Sequence, residues 1–226
     1  MLIFRVLGWC LLGLVGLAAV ASALDDIYSV AAHGVSMSPD LACTIMWDLW
    51  LASWIAAWFW SRRAAARPLA LHEMASLILP AIGFGLLGFG SLATHFAPLW
   101  TLAKGLGWVF ATVCGFGLLF TWWARVTLGS LWSAAVSRKE GHTVVQSGPY
   151  GLVRHPIYTG LIIAALAQAI IIGQVANLAG ALLLTVGFWL KARLEERFLS
   201  KELGGSAYAD YRRRTPMLIP LWPSKA

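Results

Sequence analysis

The chain has 226 residues, of which 59% are hydrophobic and only 12% charged, with a mean hydropathy of +0.73. That leaves too few charged side chains to cover a water-soluble domain of this length, so composition points to an integral membrane protein. The net charge of +7 does not mark a nucleic-acid binder. The basic residues lie in short clusters between apolar runs, without the basic–aromatic pattern of a nucleic-acid module.

A bilayer core takes roughly 20 apolar residues per helix, and charge-free runs place the spans in chain order. Residues 6–24 form the first. Its Ala21-Ser22-Ala23 ending resembles a signal-peptide cleavage site. The run is long enough to span, however, and keeping it gives an even number of crossings, so an uncleaved helix is expected. Residues 41–61 form the second span, interrupted by Asp48 between Trp47 and Trp50. An intramembrane acid is a functional candidate, and Asp48 is read as either a substrate-tunnel or a packing residue. The stretch 74–103 holds a third span, with Pro98 near its end, and 105–124 a fourth. Gly83, Gly85, Gly88 and Gly90, and then Gly105, Gly107, Gly115 and Gly117, are expected to permit close helix packing. Cys10, Cys43 and Cys114 are isolated and read as small apolar packing residues. Asp25, Asp26, His33, Asp40 and His95 share one side but lack regular metal-ligand spacing.

Residues 156–190 contain no charge, and 35 positions are too many for one crossing. The turn-like Gly173-Gln174-Val175-Ala176-Asn177 divides them into a hairpin of two helices. Residues 191–212 then read as a polar cytosolic helix. All 17 Lys and Arg except Lys104 fall on one side of these spans, which orients both termini to the cytoplasm. The thirteen tryptophans suit the headgroup level.

Before the hairpin, Gly148-Pro149 forces a turn, and Pro156 suits the first turn of a helix. Residues preceding a proline favour extended backbone, so Val153, Arg154 and His155 form a short extended stretch. Its backbone donors are free for a purine edge or a carboxylate. Closing the hairpin returns Glu195-Glu196 to the face of His155 and Tyr158, where a carboxylate can hold an ammonium group. The alternatives are an interfacial anchor for Arg154-His155 and a solvated helix face for the glutamates. Arg212-Arg213-Arg214 reads as a lipid-facing basic patch.

The string His142-Thr143-Val144-Val145-x-x-Gly148-Pro149-Tyr150, then Arg154-His155-Pro156-x-Tyr158-x-Gly160, resembles the isoprenylcysteine carboxyl methyltransferase family. So does Glu195-Glu196…Gly205-x-x-Tyr208-x-x-Tyr211…Arg214-x-Pro216. The resemblance covers about residues 125–220 and implies S-adenosyl-L-methionine bound at the cytosolic face. By matching positions it implies that His142, Thr143, Val144 and Val145 line the adenosine. Tyr150 would contact the cofactor, and His155, Pro156, Ile157 and Tyr158 would wrap it. Glu196 would hold the methionine ammonium, with Glu195 the neighbouring acid. Arg154 and Arg193 are the catalytic candidates. Lys191 and Arg193 each stand one position from the register of the family's arginine.

The expected architecture is all-α: a polytopic transmembrane helix bundle with a C-terminal helical hairpin and a cytosolic C-terminal helix. Residues 1–124 form a four-helix platform, and 125–226 a catalytic module containing the hairpin 156–190. The expected function is methyl transfer from S-adenosyl-L-methionine to a small-molecule or lipid acceptor at the cell inner membrane, with membrane lipids as partners and no nucleic acid. A methyl sulfonium is already activated, so positioning and water exclusion suffice. The non-enzymatic alternative is a membrane accessory protein, for example of a heavy-metal cation efflux system. No internal inverted repeat supports a transporter.

Overall fold

The computed structural model describes residues 2–58, 64–66, 70–89, 97–129, 138–139, 145–203 and 206–221. It is almost wholly helical. The helices are α1 (Leu2–His33), α2 (Pro39–Trp58), α3 (Ala70–Phe89), α4 (Lys104–Leu128), α5 (Pro156–Ile172), α6 (Val175–Leu203) and α7 (Ser206–Arg214). A 3-10 turn at Gly148–Gly151 precedes α5, and two short strands, β1 (Ala64–Ala66) and β2 (Arg138–Lys139), pair antiparallel between two connections. Among the described residues, three helical stretches are long and apolar enough to cross a membrane: Leu14–His33, Lys104–Leu128 and Val175–Lys201. The second expected span, α2, is not one of them. It carries Asp40, Asp48 and four tryptophans, all of which lower its hydropathy.

Three boundaries differ from the sequence expectation. Residues 97–103 are not helical, so the third span does not run to 103. Here Leu99 donates its backbone N–H to Gly173 O at 2.8 Å, and Trp100 Nε1 donates to Ile170 O at 2.9 Å. The segment thus satisfies carbonyls at the end of α5 that a helix terminus leaves without partners. The hairpin break is also tighter than expected, with α5 ending at Ile172 and α6 beginning at Val175. Gly173 caps α5 in the left-handed region at φ 68°, a conformation that glycine adopts without steric cost. Finally, no boundary falls at Lys191. The second arm and most of the expected polar helix are one continuous α6, because 191–203 contains no proline or glycine to stop it.

The core joins α2, α4, α5 and α6 around Trp50, Trp54, Leu118, Leu161, Leu184 and Phe188. α3 packs along α6 and α4 along α5, so the expected platform and module share one interior. Two glycine pairs set these crossings. A Cβ on Gly160 would lie 2.5 Å from Gly117 O, and one on Gly83 2.8 Å from Gly180 O. Among the described residues a Cβ added at Gly85 or Gly105 would meet nothing within 4 Å, so the packing role expected of these two is not seen there, and Gly90 lies outside the described residues. Arg125 is buried in the last turn of α4. Its Nη2 donates to Ala57 O at 2.7 Å and its Nη1 to Gly129 O at 2.5 Å, tying α4 to the end of α2.

Candidate functional site

The site is built where α5 begins and the polar part of α6 starts. The 3-10 turn at Gly148–Gly151 buries Pro149 and Tyr150. His155 immediately precedes α5 as its N-cap, in a non-helical backbone that leads into Pro156. Two turns along α6 from Phe188, Glu195 and Glu196 arrive at the same corner, as the sequence suggests. His155 Nε2 lies 3.3 Å from Glu196 Oε1, and its Nδ1 lies 3.8 Å from Glu195 Oε2. Tyr158 donates its hydroxyl to Glu195 Oε2 at 3.0 Å. The imidazole stacks on Tyr158 with ring centroids 5.4 Å apart, and Tyr158 stacks on Phe188 at 4.9 Å. Pro156 is buried, and Ile157 packs half-buried against the main core.

The two glutamates stand in different electrostatic settings. Glu196 is 7% exposed and accepts from Arg154 Nε at 2.6 Å, while Arg212 Nε approaches its other oxygen at 3.5 Å. Two guanidinium groups therefore compensate one buried carboxylate, which burial would otherwise disfavour. The side chain of Glu195 is 28% exposed. Tyr158 and His155 contact its Oε2, and neither is a guanidinium.

Four further groups that sequence reasoning did not assign to the site complete it. Lys191 is buried one turn before Glu195, with its ammonium 5.7 Å from the Tyr158 ring centroid. Phe188 supplies the stacked wall. Tyr208 and Tyr211 pack with Leu199 beneath the corner, and Tyr211 donates its hydroxyl to Tyr150 O at 2.7 Å. Burial holds the phenols of Tyr150, Tyr208 and Tyr211 above their usual ionisation range, and the nearby Glu195 adds to this at Tyr150. The i,i+4 spacing of Lys191 and Glu195 was the available signal for the first. Nothing in the local sequence points to Phe188.

Three expectations change. The backbone donors at the corner are not free. Val153 donates to Pro149 O at 3.2 Å, Arg154 to Pro216 O at 2.8 Å and His155 to Met217 O at 3.1 Å. An extended stretch needs external partners for its N–H groups, and here the tail supplies carbonyls for Arg154 and His155. Arg212 is not simply part of a lipid-facing patch, since it reaches Glu196. Arg193 does not join the cluster. It is exposed, with its guanidinium 4.6 Å from the Trp189 ring centroid. Of the expected adenosine-lining residues, Val145 is half-buried just before the turn. His142, Thr143 and Val144 lie outside the described residues.

Away from the corner, Asp48 is half-buried in α2, and its Oδ2 is buried without a hydrogen-bond partner among the described residues. Among the described residues no group of three or more His, Cys, Asp or Glu is placed to hold a metal ion. His95, one of the outer-side residues, lies outside the described residues.

Comparison with known proteins finds likenesses over part of this chain. Residues 109–201 match the isoprenylcysteine carboxyl methyltransferase family. A cobalt-zinc-cadmium resistance protein, CzcN, of Cupriavidus metallidurans is 34% identical over 119 residues, covering 50% of this chain and 51% of the relative. The protein-S-isoprenylcysteine O-methyltransferase of Schizosaccharomyces pombe is 37% identical over 103 residues, covering 44% and 43%. Methanethiol S-methyltransferase 2 of Bradyrhizobium diazoefficiens is 39% identical over 71 residues, covering 31% and 26%. The chain spans about half, or less, of the length of each of these relatives.

Proposed function

We propose, from the match of residues 109–201 to the isoprenylcysteine carboxyl methyltransferase family, that this chain is a multi-pass membrane methyltransferase that uses S-adenosyl-L-methionine. The observation that carries the reading is the corner itself: a partly exposed Glu195 carboxylate, fixed by Tyr158 and bordered by buried aromatic rings. The donor set fits a sulfonium nucleoside, which brings an ammonium and a sulfonium, both cationic. A carboxylate pairs with the first, and electron-rich ring faces favour the second.

Glu195, rather than Glu196, is assigned to the ammonium. The oxygens of Glu196 are engaged by Arg154, His155 and Arg212, so its role is to hold the corner together. Tyr150 and His155 border the cofactor, with His142–Val145 on the adenosine side. Bound S-adenosyl-L-methionine supplies a methyl group already activated for displacement. What this chain contributes is placement: Glu195 orients the amino-acid end, and the Tyr158–Phe188 stack excludes water from the attack line. A carboxylate or thiolate acceptor needs no general base. Exposed Arg193, resting on Trp189, faces the acceptor's side of α6. Residues 1–124 act as the platform past which a small or lipidic acceptor enters. The site lies on the cytosolic face of an inner membrane, with both termini cytoplasmic. That sidedness follows from the concentration of Lys and Arg in the connections at that end.

Calorimetric titration of S-adenosyl-L-methionine into the detergent-purified protein tests this. Saturable binding is expected. No heat of binding would leave instead a non-catalytic accessory role, as the likeness to a protein named for cobalt-zinc-cadmium resistance suggests.

A further inference from the structure

We infer that residues Thr215–Leu218 form a strap fastened across the corner by Arg154, and that the strap is a structural wall of the cofactor site. Arg154 is therefore a positioning residue. The second half of this inference rests on the methyltransferase reading; the first does not.

The chain needs such a strap for a local reason. Pro156 begins α5, and the extended residues before it cannot use helical carbonyls as partners. The tail provides them in matched register, with Arg154 N donating to Pro216 O and His155 N to Met217 O. One helical turn further on, Thr159 Oγ1 donates to Leu218 O at 2.7 Å. Donors and acceptors run in the same chain order on the two segments, so successive tail carbonyls are taken up in turn. Burial follows the same limits: Thr215 is buried, Pro216 to Leu218 are half-buried, and Ile219 to Leu221 are exposed.

Arg154 locks this segment to the acid. Its Nη1 donates to the carbonyls of both Arg212 and Thr215, while its Nε holds Glu196. A planar guanidinium suits this because its fork meets several acceptors at once, which a lysine ammonium cannot do at the same positions. Those bonds also argue against a substrate-contacting role, since reaching a substrate would unfasten both the tail and Glu196.

Limited trypsin digestion of the full-length protein in detergent, at the exposed Arg212–Arg214 that lead into the strap, reads its docking by mass spectrometry. Arg154→Gln is expected to speed cleavage there at least fivefold. Arg154→Lys, which keeps the charge but not the fork, is expected to restore less than half of the protection. Unchanged cleavage in Arg154→Gln, or full protection in Arg154→Lys, overturns the fastening role. Thr159→Val, which removes the hydroxyl that bonds Leu218 O at 2.7 Å and His155 O at 3.2 Å, is expected to weaken S-adenosyl-L-methionine binding several-fold while a cooperative melting transition is retained. Wild-type affinity in Thr159→Val overturns the strap as a wall of the site. Failure of the wild-type protein itself to bind removes the methyltransferase reading and the wall with it, while the digestion still decides the fastening.

Discussion

Arg154 Nε meets Glu196 Oε1 at 2.6 Å across 42 positions of sequence. That single contact links the turn before α5 to the far end of α6, and through the second guanidinium of Arg212 it also links α7. Folding the hairpin therefore assembles the corner, and the buried pair stabilises the result only while both partners are present.

Replacing Glu196 by Gln should accordingly lower stability by about 1–3 kcal/mol, because the buried Arg154 loses its counter-charge and the more exposed Arg212 its anchor. Replacing Glu195 by Gln should change stability by no more than about 0.5 kcal/mol, as at most partly exposed sites. Its effect should fall on cofactor affinity instead. Thermal melting of the two purified variants separates these outcomes; equal loss of stability would remove the division of labour between the acids.

The glycine crossings give a second expectation. Gly160→Ala puts a methyl group 2.5 Å from Gly117 O and 2.7 Å from the Thr121 methyl carbon, and backbone cannot yield there cheaply. A cost of about 1–3 kcal/mol is expected from overpacking. Gly85→Ala, with nothing within 4 Å, should be neutral or slightly stabilising through helix propensity. Unfolding in graded denaturing detergent compares the two.

The tyrosines predict a pH dependence. Tyr150, Tyr208 and Tyr211 all have phenols raised above the ordinary value of about 10. An acid with its folded pKa raised is favoured in its protonated form. The stability it contributes is complete below the unfolded pKa and is lost as pH climbs above it toward the folded value. At about pH 11, one unit above that ordinary value, the native protein should show less tyrosinate absorbance per tyrosine than the unfolded chain. Coincident titration curves would contradict the buried cluster.

Orientation is testable separately. A green fluorescent protein fused to either terminus should fluoresce, since both ends are assigned to the cytoplasm, and a periplasm-dependent alkaline phosphatase at either position should be inactive.

Much of this molecule was legible in its residues, for identifiable reasons. Charge-free runs reveal helices in a bilayer, and 35 uncharged positions with a Gly173 break can only fold back. The meeting of His155 with Glu195 and Glu196 follows from that fold. The division of roles between the glutamates did not follow, because it depends on Arg154 and Arg212 arriving from two other segments. The strap was hidden for a related reason. Its bonds use the backbone carbonyls of Pro216, Met217 and Leu218, and a carbonyl is common to every residue type. The end of α3 was misplaced because residues 97–103 are as apolar as a span, while Leu99 and Trp100 are committed to the hairpin tip.

The central claim is that the hairpin's corner binds a sulfonium nucleoside. Ultraviolet cross-linking of methyl-tritiated S-adenosyl-L-methionine, followed by peptide mapping, tests it most directly. Label is expected in peptides containing Tyr150 to Tyr158 and Glu195 to Glu196, competed by unlabelled cofactor and reduced in Glu195→Gln. Label confined to residues 1–124, or label that excess cofactor does not displace, would contradict it.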